Sequence, residues 1–496
     1  MERLNENECI SIENASYAGS AGKSAPRIPA RIVLSVVAAG IMSFCGVVVE
    51  TAMNISFPAL MNEFSVGTAT VQWITSGYLL MLAVIMPLSS FLNRRFTLRQ
   101  QFSAAAVSFI VGTAVCGIAP HFSLLVLGRL LQGIGTGIAL PLMYNIVLTQ
   151  VPVERRGSMM GIASLIPAMA PAVGPSLGGL IVETLGWRML FFCLIPVLIA
   201  GIVIGLTCIR NNQKDSDSRE PLDFIGWILL SACFTCLLIM LSNLGTSSFF
   251  SFKAFGLLLL SIAALALFIM HFRRTERNSS KKSAMLINLR VFRYRRFNFA
   301  LIAFIFLQFI CLGIGFVIAN YAQIALGTNA LVAGCILLPG CLLGAVFAPL
   351  AGRTYDRLGA HVPLMTGAFC ILISAALLTL LFFRTPTVLS LTLVYIIFAF
   401  GQTNNVGCGM SNGMSALPAE LSADGNAVYN TLQQLFGALG TSVCSVIVAK
   451  HQAVQGLSAG ITTGARYDFI LMLVMAALLV VSMFFALPKT DASERR

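Results

Sequence analysis

Glu50, in the segment Val-Val-Val-Glu-Thr-Ala-Met-Asn, lies well inside the first of about fourteen apolar stretches and reads as the single acid so placed in any of them. A carboxylate near the centre of a bilayer costs about 2.5–3.5 kcal/mol on insertion scales, so it normally faces a cavity, a partner or a proton path. Arg129 sits inside the fourth stretch, and a buried guanidinium keeps its charge and needs an acceptor. If the first span leaves the bilayer near Phe57 and the fourth enters near Phe122, both residues lie about 10 Å from the same face at 1.5 Å per residue. Glu50 is then the candidate carboxylate at the level of Arg129, with backbone carbonyls or Gln132 as alternatives. Burial disfavours a charged carboxylate and a nearby Arg favours it. A Glu50 that changes exposure can therefore take a proton on one side and release it on the other. Glu50 and Arg129 are the expected proton-coupling residues, although an Arg129 that only ties helices together fits the same geometry.

The elements that carry these residues follow from composition. The chain has 496 residues, is 57% hydrophobic and only 10% charged, against roughly 25% charged in ordinary soluble domains. Expected spans are 32–57, 71–92, 100–119, 122–148, 158–182, 189–209, 223–243, 252–272, 298–320, 331–351, 362–383, 388–410, 427–449 and 468–487. Each is long enough for a helix to cross about 30 Å of hydrocarbon. Continuous apolar runs such as 257–270 lack the alternation of a transmembrane barrel strand. The reading is an all-α polytopic membrane protein. Residues 1–30 are polar, so the first span is expected to be retained rather than cleaved as a signal.

The net charge of +13 alternates by loop instead of forming a nucleic-acid surface. With both termini in the cytoplasm, 26 of the 32 Lys and Arg fall on the inner side, and Arg188, Lys253, Arg384, Lys450 and Arg466 fall outside. This is the positive-inside pattern. The thirteen Cys are scattered, mostly through the spans, and no disulfide, metal site or cofactor is expected. Cys233-x-x-Cys236 reads as helix packing.

Two short basic turns, Ser89 to Arg99 and Gly352 to Gly359, follow the second and tenth spans. They become equivalent if spans seven and eight are an insert between two six-span halves, a 6+2+6 arrangement with substrate bound between the halves near the midplane. The expected division is a tail at 1–31, an N-terminal six-helix bundle at 32–209 and a linker at 210–222. Two inserted helices follow at 223–272, then a basic loop at 273–297, a C-terminal six-helix bundle at 298–487 and a tail at 488–496.

The motifs Glu50-Thr-Ala-Met-Asn54 with Pro58, then Gln72-Trp73 and Tyr78, resemble the opening signature of the fourteen-span drug:proton antiporters of the major facilitator superfamily. Arg129-Leu-Leu-Gln132-Gly133-Ile-Gly135 resembles that family's fourth-span motif, and Gly174-Pro175-Ser-Leu-Gly178-Gly179 its fifth-span exporter motif. Trp187-Arg188, Asp223 and Asn430-x-x-Gln433-Gln434 extend the likeness, and the Glu-Thr-Ala-x-Asn form looks most like the lincomycin-resistance exporters. The resemblance implies a major facilitator fold and a drug:proton antiporter working by alternating access. The chain departs from the pattern after span two, where Ser89, Asn93 and Phe96 replace an expected Gly, Asp and Gly. The cytoplasmic gate is therefore expected to rest on Asp356 and Arg357, with Arg94 and Arg95 supplying only positive charge.

Pro167, Pro171 and Pro175 stand among small residues in the fifth span, including Gly174, Gly178 and Gly179, a composition suited to bending and close approach. Close packing accounts for it, as does a hinge and seal between halves. Polar candidates for a substrate cavity are Asn54, Tyr78, Asn145, Gln308, Asn320, Gln323, Asn404, Asn405, Asn430 and Gln433. Some of them are expected only to join neighbouring helices. Gly22-Lys23-Ser24 lacks the earlier Gly of a phosphate loop, and Gly133, Gly135 and Gly137 lie inside a span. The favoured expectation is a monomeric, proton-coupled multidrug exporter of the inner or plasma membrane. Its partners would be protons, lipid and small amphiphilic compounds, lincosamide-like molecules among them. A proton-coupled nutrient or metabolite transporter, and a membrane enzyme or receptor, stand as alternatives.

Overall fold

The computed structural model describes residues 29–151, 153–210, 223–244, 252–277 and 286–487. Apolar length dictates the elements. Fourteen long helices follow in order: α1 Ala30–Phe64, α2 Thr68–Leu88, α3 Leu98–Ile118, α4 Phe122–Gln150, α5 Val153–Leu185, α6 Met189–Cys208 and α7 Phe224–Leu244. After these come α8 Phe252–Arg277, α9 Arg295–Ile324, α10 Ala330–Leu358, α11 His361–Leu381, α12 Val388–Met414, α13 Ser422–Gln455 and α14 Leu457–Ala486. Thirteen are both long and apolar enough to cross a membrane. The other, α5, has 33 residues and exceeds the length a crossing requires.

Polar residues mark where the helices begin and end. Thr97 and Gln100 form a reciprocal capping box at the start of α3, Asn329 caps α10 through the Val332 amide, and Thr387 caps α12. Gly456, at φ +83°, takes the left-handed turn between α13 and α14, a conformation costly for any residue with a Cβ. Most sequence-derived ends move by a few residues, and α10 runs to Leu358 rather than 351; two further shifts bear on the site. α1 runs to Phe64 rather than 57, and α14 begins at Leu457 rather than 468. Arg466 and neighbouring hydroxyls had cut the last apolar window short, although a helix carries them easily when they find partners: Arg466 Nε donates to the Phe382 carbonyl.

Within the first six helices, α1 packs on α4, α5 and α6, α3 packs on α4 and α6, and α2 packs on α4. Within the last six, α9 packs on α12, α13 and α14, α11 on α12 and α14, and α10 on α12. Between these groups the contacts are reciprocal: α5 meets α10, α2 meets α13, and α1 meets α9. The second and fifth helices of one group thus meet the fifth and second of the other, the geometry of two parallel repeats around an axis normal to the membrane. α7 and α8 pair with each other, and α7 docks against α2 and α13. Two indoles fasten α7 to α2: Trp73 Nε1 donates to Ser242 Oγ at 2.5 Å, and Trp227 Nε1 to the Val84 carbonyl at 2.9 Å.

α5 meets both α1 and α10 through its small residues. A Cβ added at Gly174 would collide with Thr51 of α1, and one at Gly179 with the Ala330 carbonyl of α10. At Gly178 the added atom would stand 2.5 Å from the Cβ of Ala52. Beyond these glycines, Glu183 Oε2 accepts from the Ala330 amide at 3.2 Å. Van der Waals packing is the main force holding helices together in lipid, so this seam depends on the missing side chains. Gly178→Leu should separate α5 from α1 at a cost of about 1–3 kcal/mol, typical of overpacking. The expected outcome is loss of transport with membrane abundance retained, checked by efflux assay alongside immunoblotting.

Candidate functional site

Three helices of the first group build the site around Gly46 of α1, where an added Cβ would strike Thr136 of α4 and the Tyr78 hydroxyl of α2. Their close approach places Glu50, Tyr78 and Arg129 together. Arg129 is fully buried: its Nε donates to the Ile74 carbonyl at 3.1 Å and its Nη1 to Gln132 Oε1 at 2.7 Å. Its guanidinium carbon lies 4.2 Å from the Tyr78 ring centroid, a cation–π contact worth up to about 2 kcal/mol when desolvated. Gln132 Nε2 in turn donates to Thr113 Oγ1 of α3 at 2.9 Å, and the Tyr78 hydroxyl donates to Thr136 Oγ1 at 3.0 Å.

Of the acceptors weighed for Arg129, the structure therefore uses a backbone carbonyl and Gln132. Glu50 makes no ion pair with it among the described residues. Glu50 is 7% exposed and lies one turn beyond Gly46, on the face of α1 that meets Tyr78 and Thr136, with Arg129 behind the Tyr78 ring. The helix that carries it also meets the second group, where Gln323 of α9 reaches the Ile55 carbonyl of α1. The depth estimate placed Glu50 and Arg129 at one level from a span end that the helix overruns: Glu50 precedes Phe64, the true end of α1, by about 21 Å at 1.5 Å per residue. Arg129 Nη2 has no hydrogen-bond partner among the described residues. A permanent charge thus stands beside an acid that does not touch it.

The other polar candidates divide by partner. Asn54 Oδ1 accepts from Thr75 Oγ1 at 3.3 Å, beside Glu50 on α1. Gln323 Nε2 donates to the Ile55 carbonyl at 3.0 Å and so joins α9 to α1. Asn320, Asn404 and Asn405 donate to carbonyls one turn back on their own helices, and Asn430 donates to Asn426. The Oδ1 atoms of Asn320 and Asn405 are buried acceptors without partners. Gln308 is buried and Gln433 half-buried. Asn145 Nδ2 donates to Asn93 Oδ1 at 2.9 Å, a tie far along α4 from Arg129. Asn93 stands where the resembled pattern carries an acid, and its amide oxygen serves as the acceptor. Arg95 and Arg357 are exposed; the side chains of Arg94 and Asp356 lie outside the described residues. Gly174, Pro175, Gly178 and Gly179 are all buried in the α5 seam.

Two features escaped the sequence reading. Between α2 and α13, Gln72 Nε2 donates to Thr441 Oγ1 at 3.0 Å and Ser442 Oγ at 3.1 Å, while Ser445 Oγ donates to Gln72 Oε1 at 3.3 Å. The signal was present in the hydroxyls at 441, 442 and 445, on one face of an apolar helix. The second is Asp468, which is fully buried on α14. Glu50 is therefore not the only acid inside a span. Starting the last window at Leu457 would have put Asp468 well inside it.

A bundle whose two six-helix groups meet through reciprocal second and fifth helices, with an isolated acid at their junction, has the architecture of a secondary transporter. The chain belongs to the Major Facilitator Superfamily, whose profile matches residues 39–441. It is 32% identical over 468 residues to the lincomycin resistance protein LmrB of Listeria monocytogenes, covering 92% of this chain and 96% of that protein. It is also 34% identical over 415 residues to the MFS-type transporter YhcA of Bacillus subtilis, covering 84% and 76%. In fold it matches a bacterial homologue of the human lysosomal transporter Spinster with a TM-score of 0.65 at 15% identity, covering 92% of this chain and 97% of that one.

Arg129→Lys provides the sharpest test of the buried charge. A compact ammonium cannot reproduce the fork that reaches Ile74 and Gln132 together, and hydrogen bonds to charged groups are worth about 1.5–3 kcal/mol each. The variant should melt about 5 °C or more below wild type in detergent and transport poorly, as checked by thermal unfolding of the purified protein.

Proposed function

We propose that this protein expels amphiphilic toxic compounds in exchange for protons, by alternating access of a site between its two six-helix groups. The observation that carries the proposal is Glu50: a buried acid on the face of α1 that meets Tyr78 and, behind it, the permanently charged Arg129, on a helix that also packs against α9, and held by no ion pair among the described residues. A carboxylate clamped to a guanidinium would stay ionised. One held near but apart from it can be neutral when sealed from water and charged when wetted. The relatedness to a lincomycin resistance protein supports export of antibiotics, including lincosamide-like molecules.

The remaining parts have named roles in this reading. Residues 32–209 and 298–487 are the moving halves, residues 223–272 an inserted helix pair, and 210–222 and 273–297 the segments that join them. The α5 seam seals the halves, while Asp356 and Arg357, with Arg94 and Arg95, govern the opposite gate. Asn54, Gln308, Asn320, Gln323, Asn404, Asn405 and Gln433 supply polar contacts to substrate. Asn430, bonded one turn back on its own helix like Asn320, Asn404 and Asn405, supplies another, while Tyr78 and Asn145 are committed to Thr136 and Asn93 and orient the helices instead. The protein acts as a monomer in the plasma or inner membrane with both termini in the cytoplasm.

Energetics limits what one coupling acid can do. A charge moved through about 100 mV gains about 2.3 kcal/mol, and one pH unit adds about 1.4 kcal/mol. One proton thus sustains roughly a 400-fold gradient of a neutral compound. For a monovalent cation exchanged one for one, the electrical part cancels and about tenfold per pH unit remains.

A drug-susceptibility panel in cells with and without the gene should show deletion lowering the tolerated concentration of lincosamides or other amphiphiles. Lost growth on a particular nutrient would instead mark an importer. Glu50→Gln should insert and fold normally yet give no efflux driven by a pH gradient in proteoliposomes. Efflux at the wild-type rate in that variant would remove Glu50 from the coupling role.

A further inference from the structure

Asp468 is a carboxyl group with no exposed surface, and among the described residues neither of its oxygens has an N–H or O–H donor, only the Cys444 thiol. It sits on α14 about 16 Å from the Leu457 end at 1.5 Å per residue. Its surroundings are close-packed and apolar. A Cβ added at Gly313 of α9 would meet Met472 of α14 at 2.7 Å and Cys444 Sγ of α13 at 3.1 Å. On α11, Thr379 Oγ1 donates to the Phe469 carbonyl at 3.1 Å, and the Phe382 and Phe469 rings lie 4.7 Å apart.

None of the charged or titratable groups on these helices neutralises it. Cys444 of α13 is the one such group beside it. Further along α13, His451 stacks on Tyr467, with ring centroids 5.0 Å apart, and Lys450 is exposed. On α9, Cys311 accepts from Gln402 Nε2 and Tyr321 packs on Phe382. On α14 itself, Arg466 donates to the Phe382 carbonyl and stacks on Phe383. An ionised carboxylate with only the weak thiol donor of Cys444 beside it and no counter-charge does not persist in such a place. The group present is therefore the neutral acid, which carries a proton.

The two helices that cover it are also those that touch the other group: α9 meets α1 through Gln323, and α13 meets α2 through the Gln72 cluster. A rocking motion that remakes those contacts displaces the cover over Asp468. We propose that Asp468 is a second proton-binding site, occupied in this conformation and emptied when α9 and α13 shift, so that each transport cycle carries two protons. The inference rests on the proton-driven reading above but concerns a different residue in the other half of the molecule. A second proton would square the gradient available to a neutral substrate and leave a driving electrical charge for a monovalent cation.

The test uses the full-length protein in lipid, with protons as the probe. Infrared difference spectra between mildly acidic and mildly alkaline buffer should contain a protonated-carboxyl C=O band that Asp468→Asn abolishes and Glu50→Gln leaves in place. Asp468→Glu should restore it at a shifted frequency, which guards against an asparagine variant that fails to fold. A wild-type spectrum in which every titrating carboxyl band survives in Asp468→Asn would overturn the proposal, whether Asp468 stays neutral or ionised throughout. A band lost in Glu50→Gln would in that case leave the proposed function standing. Conversely, pH-driven efflux retained in Glu50→Gln would end the role of Glu50 without touching Asp468.

Discussion

A guanidinium that cannot be discharged, buried without a carboxylate in contact, is the constraint around which the first half of the molecule is organised. Arg129 draws together the Ile74 carbonyl of α2, Gln132 on its own helix and the face of Tyr78, and Gln132 extends the network to Thr113 of α3. Neutral dipoles and a π face solvate the charge in place of water. Because these partners carry no net charge, the positive field of Arg129 is not cancelled locally and reaches Glu50 on α1. An acid in that position responds to both hydration and field, whereas a direct salt bridge would hold it ionised in every conformation.

Motion requires the opposite property elsewhere, namely contacts between halves that are extensive but individually weak. Where α5 meets α10, the backbones approach because side chains are absent, with Gly179 against Ala330 and Gly334 against Pro175. The α2–α13 contact uses hydroxyls and one amide around Gln72. In lipid such interhelical hydrogen bonds are worth only about 0.6 kcal/mol on average. They can be exchanged for others as helices slide, and no permanent charge is stranded when they break. The strongly fixed charge lies within one half, and the exchangeable contacts lie between halves.

Arg129, Gln132 and the Gly174–Gly179 run were singled out from the sequence, and the structure brings each into a close helix junction. Misreadings came from two sources. Window-based span ends stopped at polar residues, so α14 began eleven residues late and Asp468 seemed to lie at a membrane edge. The other is that polarity alone does not say which of the polar groups are helix ties: Tyr78 and Asn145 spend their donors on Thr136 and Asn93. A polar group in a span has to be satisfied, and a neighbouring helix satisfies it as well as a substrate does.

The sequence alone determined that the chain crosses a membrane many times as helices, where its basic loops lie, and that Glu50 and Arg129 are costly enough to need a purpose. Those are properties of a local window: apolar length, charge count and the expense of one residue in hydrocarbon. Only the tertiary structure decided which groups meet. Arg129 bonds a residue 55 positions away and Gln323 one 268 positions away, and such pairings depend on the rotation and register of helices whose hydropathy is nearly uniform around their circumference. Hydropathy puts a helix in the membrane without saying which face it turns to its neighbours, and that orientation left Glu50 beside Arg129 but unbound and closed the bundle over Asp468.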